Sequence, residues 1–415
     1  MNPIALYLSK QKTKSPFLDS RVHPDLEFIV VIPSYNEPDL EPCLASLEKA
    51  VALAHAQIEI IVIVNEPEKA PTEVKAQNQI TLSWLSQRNH QVPVYAISLN
   101  SIPSKQAGVG YARKAGMDEA VRRFLSINNP LGIICSMDAD TRVRPDYFQA
   151  IRKAQPDKPW ECLIIHYEHD WSTVNNPLQI QAIIAYELHL RYFEMALRYA
   201  GFPHAYQTLG SSMAVRVLAY AQVGGMPPRQ AGEDFYFIHK FSKRDSLVRI
   251  GSTAVYPSAR VSDRVPFGTG KALLDSLDRP VSAGLTYAWQ SFLDLKHFLD
   301  RLDELYNMGD WENIGLSTGA IAFLRYIDFS ARLKEIKENT STPVSFRKRF
   351  FNLMDAFMMM KYVHFMRDNF YENESLINAC NSLLGGIHCL NQPVLDEYRL
   401  LEIFRKMDVE PTEAL

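Results

Sequence analysis

Apolar residues in the first two-thirds of the chain fall in short unbroken runs, each closed by a turn-former and followed by helical spacing. Residues 27–32 are β-branched and apolar and stop at Pro33, and a helical pattern follows over about 39–56. Residues 58–64 repeat the arrangement and end at Asn65-Glu66-Pro67, with a helix expected over 72–89. A short strand over 93–98, a helix over 108–126 and a fourth strand over 131–137 complete the series. Strands that are apolar throughout, rather than alternating, are covered on both faces, and the helices between them imply a mostly parallel sheet. In such sheets ligands lie beyond the carboxyl ends of the strands.

The pattern changes after Asp140. Residues 162–167 read as a strand, 179–199 as a long aromatic-rich helix, and 211–215 and 254–256 as short strands. From residue 271 strand signals almost vanish, and 273–277, 287–302, 320–336, 346–366 and 394–407 carry helical periodicity. The expected architecture is α/β: a sheet domain over 1–270, then an all-helical extension over 271–415. No window reaches the roughly 18 uninterrupted apolar residues that span a bilayer. The N-terminus also lacks the flanks of a secretory signal. A cytoplasmic protein is expected, with peripheral contact at the inner face of the membrane left open.

Composition narrows the function. A formal charge of -3 over 415 residues argues against nucleic acid as partner, since backbone binding needs a basic face. Five scattered cysteines without a Cys-x-x-Cys pair read as free thiols in a reducing compartment.

Four segments carry candidate chemistry. Asp138-Ala139-Asp140 follows an apolar strand, where residues two apart share a face, so both carboxylates are suited to one hard cation. A solvated turn is the alternative. Glu233-Asp234 opens an amphipathic helix after the glycine-rich approach at 224–232, which suits a base beside an open site. Acidic residues in a first helical turn are also favoured by the macrodipole alone. The segment 108–116 brings glycines, Arg113 and Lys114 to a helix start, an arrangement able to bind phosphate or to form an ordinary basic surface. In the loop 260–270, Arg260 and Arg264 are placed to clamp a diphosphate or to make surface ion pairs, with Asp263 between them. His166 and His169 alternate with aromatics and fit a core or surface role better than a catalytic one.

Together Pro33-Ser34-Tyr35-Asn36-Glu37, Gly110 to Gly116, Asp138-Ala139-Asp140, Gly210 to Arg216, Gly224-Gly225 and Glu233-Asp234 resemble the family 2 glycosyltransferases of the GT-A fold, over residues 26–245. The resemblance implies an inverting enzyme that takes a nucleotide-diphosphate sugar and Mn2+ or Mg2+. It implies that Pro33, Tyr35 and Glu37 hold the nucleotide, with Asn65 where relatives carry an aspartate-rich turn. Asp138 would lie on the ribose or sugar side, and Asp140, with Asp138, would hold the metal. Asp234 matches the family's base, with Glu233 beside it. The Gln-x-x-Arg-Trp segment of processive synthases is missing, which implies single addition. The acceptor class stays open among glycan, lipid-linked and small-molecule hydroxyls. Two other readings are a sugar-phosphate nucleotidyltransferase and a catalytically silent nucleotide-sugar-binding scaffold.

Overall fold

The computed structural model describes residues 2–13, 15–154, 160–230, 232–262, 268–278, 284–308, 311–389 and 392–410. In chain order the first part contains α1 (Pro3–Ser9), β1 (Leu26–Ser34), α2 (Glu41–Ala54), β2 (Gln57–Pro67), α3 (Thr72–Gln87), β3 (Val94–Ile102), α4 (Val109–Ser126) and β4 (Ile133–Ser136). It continues through β5 (Arg142–Val143), α5 (Tyr147–Lys153), β6 (Cys162–Tyr167), α6 (Pro177–Tyr199), β7 (Met213–Arg216), α7 (Val217–Gln222), α8 (Glu233–Ser242) and β8 (Leu247–Tyr256). The remainder holds α9 (Thr269–Asp278), β9 (Leu285–Thr286), α10 (Trp289–Leu299), α11 (Leu302–Asn307), α12 (Thr318–Tyr326) and α13 (Phe329–Glu338). It closes with α14 (Pro343–Leu353), α15 (Ala356–Asn369), β10 (Glu374–Ser375), α16 (Leu376–Gly386) and α17 (Glu397–Val409).

The chain divides into two compact units, one of residues 1–174 with 208–271 and the other of 175–207 with 272–415. The first is built on an eight-stranded sheet in the order β3-β2-β1-β4-β7-β6-β8-β5. β1, β2, β3 and β4 run parallel, as do β6 and β8, while β7 and β5 pair antiparallel to their neighbours. The sheet is therefore mostly parallel, as the unbroken apolar runs imply. Phe28, Val30, Ile32, Ile60, Val62 and Cys135 lie in one buried cluster with Leu44 and Leu47 of α2. On the other face Gly116 lets α4 settle onto the sheet: a Cβ there would stand 2.5 Å from Val31 Cγ1.

β8 is longer than the expected 254–256: Arg249, Gly251 and Ser252 interrupt its apolar pattern, yet it pairs with β6 from Leu247 to Ile250 and, after a register shift across Gly251, Ser252 and Thr253, again at Ala254 and Val255. The second unit gathers α6 with α10 to α17, and a two-residue pairing of β9 with β10 is its sheet element among the described residues. Two stretches expected as single helices are each broken. The first, over 320–336, stops at Ile327 and restarts after Asp328, whose φ of 51° is left-handed. The second, over 346–366, stops at Met354, and Asp355 caps the next helix by accepting from the Met358 N–H at 3.0 Å. Short polar side chains tolerate these conformations and compete with helix propagation. Among the described residues no helix is long and apolar enough to cross a membrane.

Candidate active site

Adjacent parallel strands β1 and β4 end on the same side of the sheet, with Val31 opposite Ser136. Beyond β1 the chain runs through Pro33, Ser34, Tyr35 and Asn36 to Glu37; beyond β4 it runs into Asp138-Ala139-Asp140. The second turn is tight, with the Thr141 N–H donating to the Asp138 carbonyl at 3.1 Å. The Cys43 thiol, on α2, donates to the same carbonyl at 3.7 Å. The first loop is shaped by Asn78 of α3, whose side chain accepts from the Asn36 N–H at 3.0 Å and donates to the Asn65 carbonyl at 3.2 Å. Asn36 is left-handed, with φ 49°. Gln77 and Thr81 donate to the Glu37 carbonyl, so α3 holds the whole turn.

Two arginines tie these acids to distant parts of the chain. Arg113, on α4, is 2% exposed and pairs through Nη2 with Asp138 and through Nη1 with Glu233. Arg260 follows β8 and is set by a short extension of the sheet, in which the Asp170 N–H donates to the Pro257 carbonyl at 2.8 Å and Ala259 donates back to Asp170 at 3.1 Å. From there Arg260 forks onto both oxygens of buried Glu37 and reaches Asp140 at 3.2 Å. Charges thus alternate as Glu37–Arg260–Asp140 and Asp138–Arg113–Glu233, meeting at the Asp138 to Asp140 turn. Buried acids need such partners, because an unpaired charge out of water is costly.

The base candidates open α8, where Gly232 takes φ 70° as N-cap, a conformation glycine adopts without strain. Burial pushes the Glu233 carboxyl up to about 7, opposed by Arg113 and reinforced by Asp234. Burial also lifts the Asp234 carboxyl above its ordinary value, again against Arg113, with Asp138 adding to the rise. A carboxylate held above its usual range is a better proton acceptor near neutrality.

The glycines before α4 serve a close approach. A Cβ on Gly108 would lie 2.5 Å from Gln230 Cα, and one on Gly110 would lie 2.9 Å from both Arg229 N and Glu233 Cβ. Their absence of side chain lets the start of α4 meet the segment leading into α8. Gly210 leaves room for the Arg113 guanidinium itself.

Of the residues singled out in the sequence, Glu37, Asp138, Asp140, Glu233, Arg113 and Arg260 are brought into this network, with Asp234 adjoining it. Pro33 and Asn65 are buried at the ends of their strands, and Tyr35 is half-buried in the loop between. Lys114 instead donates to Asp118 at 2.9 Å and to the Tyr7 hydroxyl at 2.8 Å. Arg264 and Asp263 lie outside the described residues. His166 sits 3.1 Å from Glu168, and His169 sits 3.2 Å from the Thr269 hydroxyl. Cys43 is marked by no motif, and Gly210 only as the first residue of the Gly210 to Arg216 segment; their roles depend on contacts across the fold.

No group of three or more His, Cys, Asp or Glu suited to a metal occurs among the described residues. Asp138 and Asp140, with side chains 40% and 27% exposed, nonetheless fit a hard cation that draws its other oxygens from a diphosphate and water.

Comparison with known proteins gives one family match, over part of the chain. Residues 29–214 match the model of glycosyl transferase family 2. No curated protein matches the chain in sequence. Among solved structures, S. aureus TarS 1-349 aligns at 12% identity and a TM-score of 0.35, covering 92% of this chain and 88% of that one. The mannosyltransferase PcManGT from Pyrobaculum calidifontis, in complex with GDP-Man and Mn2+, aligns at 13% identity and 0.36, covering 86% and 95%. The glucosyl-3-phosphoglycerate synthase of Mycobacterium tuberculosis, in complex with Mn2+, uridine-diphosphate-glucose and phosphoglyceric acid, aligns at 14% and 0.33, covering 65% and 78%.

Proposed function

We propose that the protein, whose residues 29–214 match the glycosyl transferase family 2 model, is a glycosyltransferase that moves a sugar from a nucleotide-diphosphate sugar to an acceptor hydroxyl, with inversion and with metal assistance. The observation that carries this reading is the linked set Glu37–Arg260–Asp140 and Asp138–Arg113–Glu233. It joins the ends of β1 and β4 to the start of α8 in one polar site. A bound Mn2+ or Mg2+ would neutralise charge on the leaving diphosphate. Asp138 and Asp140 are the chain's oxygens for that ion. Pro33, Tyr35, Glu37 and Asn65 line the strand ends where the nucleotide is expected, and Arg260 is the described cation on the diphosphate side, with Arg264 as its proposed companion.

Asp234 takes the proton of the acceptor hydroxyl as that oxygen attacks the anomeric carbon. Direct displacement from the face opposite the leaving group inverts the centre and needs no covalent intermediate. Glu233 serves Asp234 at one remove: paired with Arg113, it fixes the first turn of α8. Cys43, Cys135, Cys162 and Cys380, buried and free, support a reducing, cytoplasmic setting.

Asp234→Asn tests the base assignment. Turnover, read as nucleoside diphosphate released from the donor, should fall by about 10²–10⁴-fold while donor affinity stays within a few-fold. Wild-type turnover in the variant removes Asp234 from that role.

A further inference from the structure

Arg260 holds its two acids unequally. Its Nη1 donates to Glu37 Oε1 at 2.8 Å and its Nη2 to Glu37 Oε2, a two-pronged pair on an acid that is 2% exposed. The same Nη2 reaches Asp140 Oδ2 in one longer bond of 3.2 Å, on an acid that is partly exposed. Burial decides which contact is exchangeable. Without the guanidinium Glu37 would be a stranded interior charge, so that pair persists. Asp140 faces solvent enough to change partner. Arg113 has no such freedom, because its guanidinium is enclosed between Asp138 and Glu233.

A guanidinium keeps its charge at any physiological pH. A second cation coming to Asp140 therefore meets Arg260 at close range and is repelled. A diphosphate reverses this, since its oxygens accept from the guanidinium on one side and from the metal on the other.

We propose that Arg260 is an internal counter-ion that keeps a divalent cation off Asp140 until a diphosphate arrives, so that metal and donor load together. The proposal rests on the reading of Asp138 and Asp140 as the carboxylates that hold the metal. Arg260 acts in it as a positioning residue: it moves no proton and touches the cation only through Asp140 and the diphosphate. Because coupling between two ligands is reciprocal, whatever the diphosphate adds to metal affinity, the metal adds to diphosphate affinity.

The test is titration of Mn2+ alone into the full-length protein, followed by loss of the free-ion electron paramagnetic resonance signal. Arg260→Gln should bind Mn2+ about tenfold more tightly than wild type, within the usual range of coupling between sites. The double variant Glu37→Gln with Arg260→Gln removes the buried pair together, leaves no stranded charge and should show the same gain. Unchanged or weaker Mn2+ affinity in both variants overturns the proposal. Adding Asp140→Asn to Arg260→Gln separates this failure from that of the parent reading. Loss of the gain supports the ion at Asp140. A gain that survives means the ion binds elsewhere, and the two-carboxylate reading falls with the proposal.

Discussion

At Gly210 a methyl group would fall inside van der Waals contact with all three outer atoms of the Arg113 guanidinium. A flexible surface arginine would swing aside, but this one is buried and pinned by an acid at each end. Gly210→Ala should therefore cost about 1–3 kcal/mol of stability, the usual penalty for overpacking. It should also lower donor turnover, because Asp138 and the start of α8 are displaced together. Thermal melting and turnover measured side by side check this; a variant equal to wild type in both would show that Arg113 is not confined. The carboxylates of this site were legible because Asp-x-Asp at a strand end has a distinctive local pattern. The partner arginines were less so. Arg113 reads in sequence as one basic residue on a helix, and nothing local reveals that Asp138, 25 residues on, and Glu233, 120 residues on, close around it. The glycines at 108 and 110 carry a related ambiguity. An absent Cβ makes room equally for a phosphate or for backbone, and here the backbone of residues 229–230 fills the space.

Strands were the most legible elements, because burial on both faces makes β1, β2 and β6 nearly continuous apolar runs, interrupted at Glu27, Glu59 and His166. Helix breaks were harder to see. The apolar stripe resumes in phase closely enough across Asp328 and Asp355 that periodicity alone joins the flanking helices; the signal lay in the aspartates themselves. One element also carries a pH prediction. His189 of α6 lies 2.8 Å from the Thr286 hydroxyl of β9, and burial lowers its pKa to about 4. Its folded value is below the unfolded one, so protons bind the unfolded chain better. The contribution of neutral His189 is full above the unfolded value of 6.5 and is lost as pH falls toward 4. Between pH 7 and pH 5 this group alone should remove about 1–2 kcal/mol of stability from the second unit. Urea denaturation at the two pH values, compared with His189→Gln, isolates the effect. The variant should show the smaller loss, and an equal loss would assign the acid sensitivity to other groups.

On the scale of the whole molecule, the polar site draws on the ends of β1 and β4, the helix α4, the start of α8 and the segment after β8, all within the first unit. Order and spacing of the motifs made this assembly legible, since parallel strands must deliver their carboxyl ends to one side of a sheet. The second unit was legible as helical but not in its partners. Arg191 of α6 is buried with Glu187 and with Asp408 of α17, and Arg405 of α17 also reaches Glu187. Pairs separated by more than 200 positions leave no periodic trace. The role proposed for Asp138 and Asp140 is to bind a diphosphate through a divalent ion. Calorimetric titration with UDP, GDP, CDP and dTDP, each with Mn2+ and with EDTA, tests it on wild type and on Asp140→Ala. At least one diphosphate should bind with Mn2+, EDTA should abolish the binding, and Asp140→Ala should lose it. Binding indifferent to both EDTA and Asp140→Ala, or no binding by any of the four, would remove that role from the two carboxylates.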